Sequence, residues 1–82
     1  MTIRLLLVDD HAVVRSGVKM LLENERDVQI VGEASSASEA LEAAVRLKPN
    51  VILMDIGLPD LSGIDATREI KKRVAEVAIV AL

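Results

Sequence analysis

Short apolar blocks alternate along this chain with longer stretches in which apolar residues return every three or four positions. Ile3 to Val8 is an almost unbroken apolar run closed by Asp9 and Asp10, the pattern of a strand covered on both faces. From His11 to about Glu25, apolar residues recur at Val14, Val18, Leu21 and Leu22 with Met20 beside them, which predicts an amphipathic helix. Val28 to Ala34 reads as a second strand, and Gly32 within it signals a close approach by another segment. Ser36 and Glu39 stand at capping-box spacing, where a serine oxygen and a glutamate side chain can each satisfy an orphaned amide. A second helix is therefore predicted to about Leu47, with Pro49 just past its end.

Val51 to Met54 is a third short apolar run and delivers Asp55. Gly57, Pro59, Asp60 and Ser62 follow as a loop of turn-forming residues. Ser62 and Asp65 repeat the capping spacing ahead of a helix expected to reach Arg73 or Val74, and Ala78 to Leu82 begins a fourth strand. Strand and helix alternate throughout, so the fold class is α/β, with a parallel sheet joined by right-handed crossovers. No internal repeat, low-complexity segment or interdomain linker interrupts the 82 residues, which allow one domain at most.

A chain of this length buries only about 60% of the surface its unfolded form exposes, so the core is thin. Its composition, 51% apolar with no Phe, Tyr or Trp, is that of a folded chain whose core lacks rings, an unusual state for a complete domain. Thirteen acidic residues against ten basic ones leave a formal charge of −3, and the densest basic run, Lys71-Lys72-Arg73, reads as a solvated helix end. Direct binding of nucleic acid is disfavoured accordingly. Without cysteine there is neither a disulfide nor a thiolate metal site. No apolar stretch approaches the ~20 residues of a membrane span, and Met1 to Asp10 reads as a strand with no signal-peptide pattern, so no membrane contact and a cytoplasmic location are expected.

The candidate chemistry lies in three aspartates. Ligands of open parallel sheets collect beyond the carboxyl ends of the strands, where Asp9, Asp10 and Asp55 all fall. If the first and third strands are neighbours, three carboxylates share one pocket, and like charges so close call for a compensating cation. Oxygen ligands without a His or Cys cluster favour magnesium, with manganese as its substitute. Such a site suits phosphoryl transfer, in which the metal neutralises charge on the transferred oxygens while a carboxylate oxygen attacks. Spacing leaves the choice of nucleophile open; Asp55, alone before a loop with free amides, is the better physical candidate. Strand-end aspartates also serve as helix caps, and Asp10 could do no more than cap the helix after it.

Other residues read as structure. His11 is expected at the surface or in packing, Met20 and Met54 as core fillers, and Gly17 where a helix packs closely against a neighbour. Pro59 and Gly63 shape the loop after Asp55.

Leu7-Val8-Asp9-Asp10-His11 and Leu53-Met54-Asp55-Ile56-Gly57-Leu58-Pro59-Asp60-Leu61-Ser62-Gly63 resemble the two signature segments of the receiver domains of bacterial two-component response regulators. Val31-Gly32-Glu33-Ala34 followed by Glu39-Ala40-Leu41, with His11 behind the acidic pair, is similar to the NarL/FixJ subfamily. The resemblance covers the whole chain. It implies a flavodoxin-like sheet of order 2-1-3-4-5, of which four strands and three helices fall within these residues. It also implies Asp55 as phosphoacceptor, with Asp9, Asp10, Asp55 and the backbone carbonyl of Gly57 around magnesium. A sensor histidine kinase would donate the phosphoryl group, and DNA would be bound, usually by a homodimer, through a LuxR-type domain absent from this chain.

Receivers continue past the fourth strand with a Ser or Thr that contacts the phosphoryl group and, after a fifth strand, a Lys. No residue here matches those positions, so the chain is expected to be incomplete at its C-terminal end. Its fourth strand would then be an exposed edge, Val14, Val18 and Leu21 would be uncovered, and the chain alone would be marginally stable or would associate through that edge. An alternative is a structural or interaction fragment of this fold without phosphoryl chemistry. A phosphohydrolase of the haloacid-dehalogenase type is weakened because its second acid would fall at Gly57, and a nucleotide-binding domain because no glycine-rich phosphate loop occurs.

Overall fold

The computed structural model describes residues 2–55, 57–60 and 63–81. Among them the elements are β1 (Ile3–Val8), α1 (Ala12–Leu22), β2 (Val28–Ala34), α2 (Ala37–Leu47), β3 (Val51–Met54), α3 (Gly63–Arg73) and β4 (Ala78–Ala81). The strands form one sheet in the order β2-β1-β3-β4, and each adjacent pair is parallel. This is the flavodoxin-like arrangement expected, with β1 and β3 side by side at its centre. Ser62 and Leu82 lie outside the described residues, so the cap expected at Ser62 and the last residue of the expected fourth strand do too.

The two faces of the sheet differ. Leu6, Val8, Ile52 and Met54 point to one side, where α2 and α3 lie together and contribute Ala37, Ala40, Ala43, Ala44, Ala66 and Ile70 to the main core. Small alanines bring α2 close to the strands. That proximity leaves little room at Gly32, where a Cβ would stand 2.7 Å from Cδ1 of Leu47. Leu5 and Leu7 alternate to the opposite side and are buried as well. Helix α1 is on that side, since Glu33, the cross-strand partner of Leu7, receives Arg15 at 3.2 Å and Lys19 at 2.9 Å. The hydrogen bond from Lys19, joined by Arg15, holds the Glu33 carboxyl below its ordinary pKa.

Helix α1 departs from expectation in three respects. It is shorter, ending at Leu22 where the apolar periodicity stops, with a turn at Glu23 and Asn24 in place of helix to Glu25. Met20, expected in the core, is 69% exposed, because it projects from the flank of α1 away from the sheet. Gly17 packs against nothing: a Cβ added there meets no atom within 4 Å among the described residues. Val14 and Leu21 are exposed as expected, and Val18 is half-buried.

The ends of α2 are set by tertiary contacts as much as by local sequence. Ser36 Oγ accepts from the Glu39 amide at 3.1 Å, as the capping spacing predicts. The reciprocal half of the box does not form, for the Glu39 carboxylate takes the Ser35 hydroxyl at 2.9 Å. The first amides of the helix are satisfied instead by Asp60, which accepts from Ala37 at 2.8 Å and from Ser38 at 3.0 Å. At the other end Lys48 adopts a left-handed conformation with φ 48°, and Arg4 donates to the carbonyls of Leu47 and Lys48 at 2.7 and 2.9 Å. Lys71, expected in solvent, turns back to the carbonyls of Ala75 and Val77 and closes the link into β4.

Candidate functional site

Parallel pairing of β1 with β3 decides the site. Val8 is in register with Met54, so the residues that follow, Asp9 and Asp55, leave the sheet at the same edge. The Asp55 amide extends this ladder by donating to the Val8 carbonyl at 2.9 Å, and the Asp9 amide donates to Ala34 at 3.0 Å. Both aspartates are thus held by backbone pairing before their side chains make any contact. Residues far apart in sequence meet because neighbouring strands end together.

Asp9, Asp10, His11 and Asp55 offer ligand atoms that all lie within 4.8 Å of one another. Asp9 is buried, at 3% exposure, and a carboxylate so placed requires a partner. Its Oδ1 accepts from the His11 amide and meets His11 Nδ1, each at 2.8 Å. Nδ1 is also 3.0 Å from Asp10 Oδ1 and 3.7 Å from Asp55 Oδ2. The hydrogen bond to Asp9 and the nearby charges of Asp10 and Asp55 raise the His11 pKa above its ordinary value. Among the described residues, His11 Nδ1 is thus placed against all three carboxylates.

His11 was expected at the surface or in packing, and it is at the surface; what that reading did not include is its place beside the acidic cluster. Its ring is largely exposed, yet its Nδ1 is aimed at the acidic cluster. It is also the N-cap residue of α1, in extended conformation, with no capping bond from its own side chain. The alternative that Asp10 caps this helix does not hold, since the cap position is one residue later. Adjacency to the acidic pair was the one available signal in sequence for a role of His11 in the site.

The Asp55 carboxylate is divided between two environments. Oδ1 accepts from the Gly57 amide at 3.0 Å, and Oδ2 faces the cluster. The loop that follows is anchored at its far side by Asp60 on α2. Sequence reasoning treated Asp60 as a turn residue and missed this long-range cap, which no local spacing reveals.

Among the described residues no helix is long and apolar enough to cross a membrane.

Residues 5–82 match the response regulator receiver domain family. Over all 82 residues the chain is 43% identical to the response regulator protein VraR of Staphylococcus aureus, of which it spans 39%. The solved response regulator domain of Thermotoga maritima CheB superposes with a TM-score of 0.93 at 41% identity, over 99% of this chain and 60% of that one. A two-component response regulator of the LuxR family from Aurantimonas sp. SI85-9A1 is similar at 37% identity and a TM-score of 0.93, over 99% of this chain and 58% of that one.

Proposed function

Because this chain belongs to the response regulator receiver domain family, a family of signalling domains, we propose that it is a phosphoacceptor switch in which Asp55 takes a phosphoryl group beside a divalent cation. The observation that carries this reading is the meeting of three carboxylates at the carboxyl ends of two adjacent parallel strands. One of them is buried, and together they form a concentration of negative charge that a hard cation would relieve.

The donor set fits magnesium, with manganese as its substitute: Asp9, Asp10 and Asp55 supply carboxylate oxygens, and the Gly57 carbonyl is the remaining protein ligand in this proposal. When bound, such an ion neutralises charge on the transferred phosphoryl oxygens. The chain's own residues do the rest. Asp55 keeps Oδ2 on the side of the cluster while the Gly57 amide holds Oδ1 on the loop side. An Asp55 oxygen attacks phosphorus, the bond from phosphorus to the donor breaks, and an acyl phosphate forms.

The donor in this reading is a sensor histidine kinase. The chain spans 39% of the matched regulator, so transcriptional control, DNA binding through a LuxR-type domain, homodimerisation and a cytoplasmic location are proposals for the whole protein.

Incubation with acetyl phosphate and magnesium, followed by intact mass and peptide mapping, tests the reading. The chain gains the mass of one phosphoryl group at Asp55, and Asp55→Asn gains none. Labelling that persists in Asp55→Asn would sink it, and so would the absence of labelling in both this chain and a longer one that extends past the fourth strand.

A further inference from the structure

The magnesium reading leaves the imidazole of His11 without a purpose, yet Nδ1 sits where a ligand would. In an octahedral site with metal–ligand distances of about 2.1 Å, neighbouring donors lie about 3.0 Å apart. The separations of Nδ1 from Asp9 Oδ1 and Asp10 Oδ1, 2.8 and 3.0 Å, have the length of such edges, and Asp55 Oδ2 at 3.7 Å completes the group. The four donors can therefore surround one ion with small side-chain adjustments. The backbone already holds two of them through the ladder bonds of Asp9 and Asp55. His11 is fixed in turn by its amide, which donates to Asp9 Oδ1, and by its place at the start of α1.

The chemistry of the donors discriminates between ions. Magnesium takes oxygen ligands and retains its waters, so it gains little from a nitrogen. Cobalt, nickel and zinc bind imidazole well, and affinity for nitrogen-containing sites rises along this part of the first transition row. We propose that His11 is a fourth protein ligand at this site and that it gives the site a preference for late first-row divalent ions over magnesium. A receiver built this way takes up such an ion at the place where phosphoryl transfer requires magnesium, so its signalling depends on which ion is available. The inference rests on the reading of Asp9, Asp10 and Asp55 as a cation site and adds to it a nitrogen ligand and a selectivity.

The test is direct because the sequence has one histidine and no cysteine, so any nitrogen ligation from a side-chain imidazole belongs to His11. The protein is prepared without a histidine tag, and Co²⁺ and Mg²⁺ binding are measured by calorimetry under one set of conditions for all variants. The ratio of Co²⁺ to Mg²⁺ affinity is expected to fall ~10–100-fold in His11→Ala and His11→Gln, the scale seen when groups that tune a metal site are removed. In the unaltered protein, Zn²⁺ is expected to move the imidazole Nδ1 resonance in a nitrogen-15 spectrum, a readout that needs no variant to fold. An unchanged affinity ratio in both variants together with an unmoved Nδ1 resonance overturns the role of His11 while leaving the magnesium site intact. Mg²⁺ binding that survives Asp9→Asn and Asp55→Asn overturns the underlying site reading instead.

Discussion

A methyl group added at Gly32 would stand 2.7 Å from Leu47 Cδ1 and 3.4 Å from Leu6 Cδ1, whereas one added at Gly17 would meet nothing within 4 Å among the described residues. Gly32→Ala is therefore expected to lower stability by about 1–3 kcal/mol, the cost of overpacking a filled space. The obstacle is the tip of a flexible side chain, so Leu47→Ala should recover part of the loss when the two are combined. Gly17→Ala removes a flexible residue from a helix interior and should stabilise by up to about 1 kcal/mol. Urea denaturation of the three variants and the double mutant checks both signs. Sequence alone identified Gly32 correctly from its position in a strand. It assigned Gly17 the same close packing, and failed there because a glycine within a helix does not reveal what faces it.

At the scale of the element, α2 and the loop after Asp55 depend on each other. Asp60 accepts from two amides at the start of α2, and its negative charge lies at the positive end of the helix dipole. Asp60→Ala should cost about 0.5–2 kcal/mol, the range for losing a helix cap, with Ser36 left as the remaining side-chain cap. The same change frees the loop that carries Gly57, so hydrogen exchange should quicken at the Gly57 amide as well as at Ala37 and Ser38. A change confined to α2 would show that Asp60 caps the helix without anchoring the loop. Residues 23 positions apart supply this cap, which is why the local Ser36–Glu39 spacing accounted for only part of the helix start.

At the scale of the whole molecule, the two sheet faces are unequal and, among the described residues, β4 stands last in the strand order. Among the described residues β4 pairs only with β3, and Val80 is 49% exposed on it. On the α1 side, Val13, Met20 and Leu21 are exposed to solvent as well. A short apolar edge with unpaired amides and carbonyls is a template for further pairing. The 82-residue chain by itself is therefore expected to associate as its concentration rises, and Val80→Lys should shift it toward monomer in sedimentation equilibrium. A monomer at all concentrations would contradict this.

The sequence by itself determined the order of elements, the parallel character of the sheet and the three aspartates at strand ends. These follow from periodicity, and period is a local property: blocks buried on both faces read as continuous apolar runs, and helices as recurrences of three and four. Tertiary structure alone decided which strand ends and loops meet. Register between β1 and β3 brought Asp9 and Asp55 to one edge, the approach of the loop to α2 turned Asp60 into a cap, and the start of α1 aimed His11 Nδ1 at the carboxylates. The first two depend on segments distant in sequence and the third on the direction the backbone gives a side chain, and no local pattern encodes either.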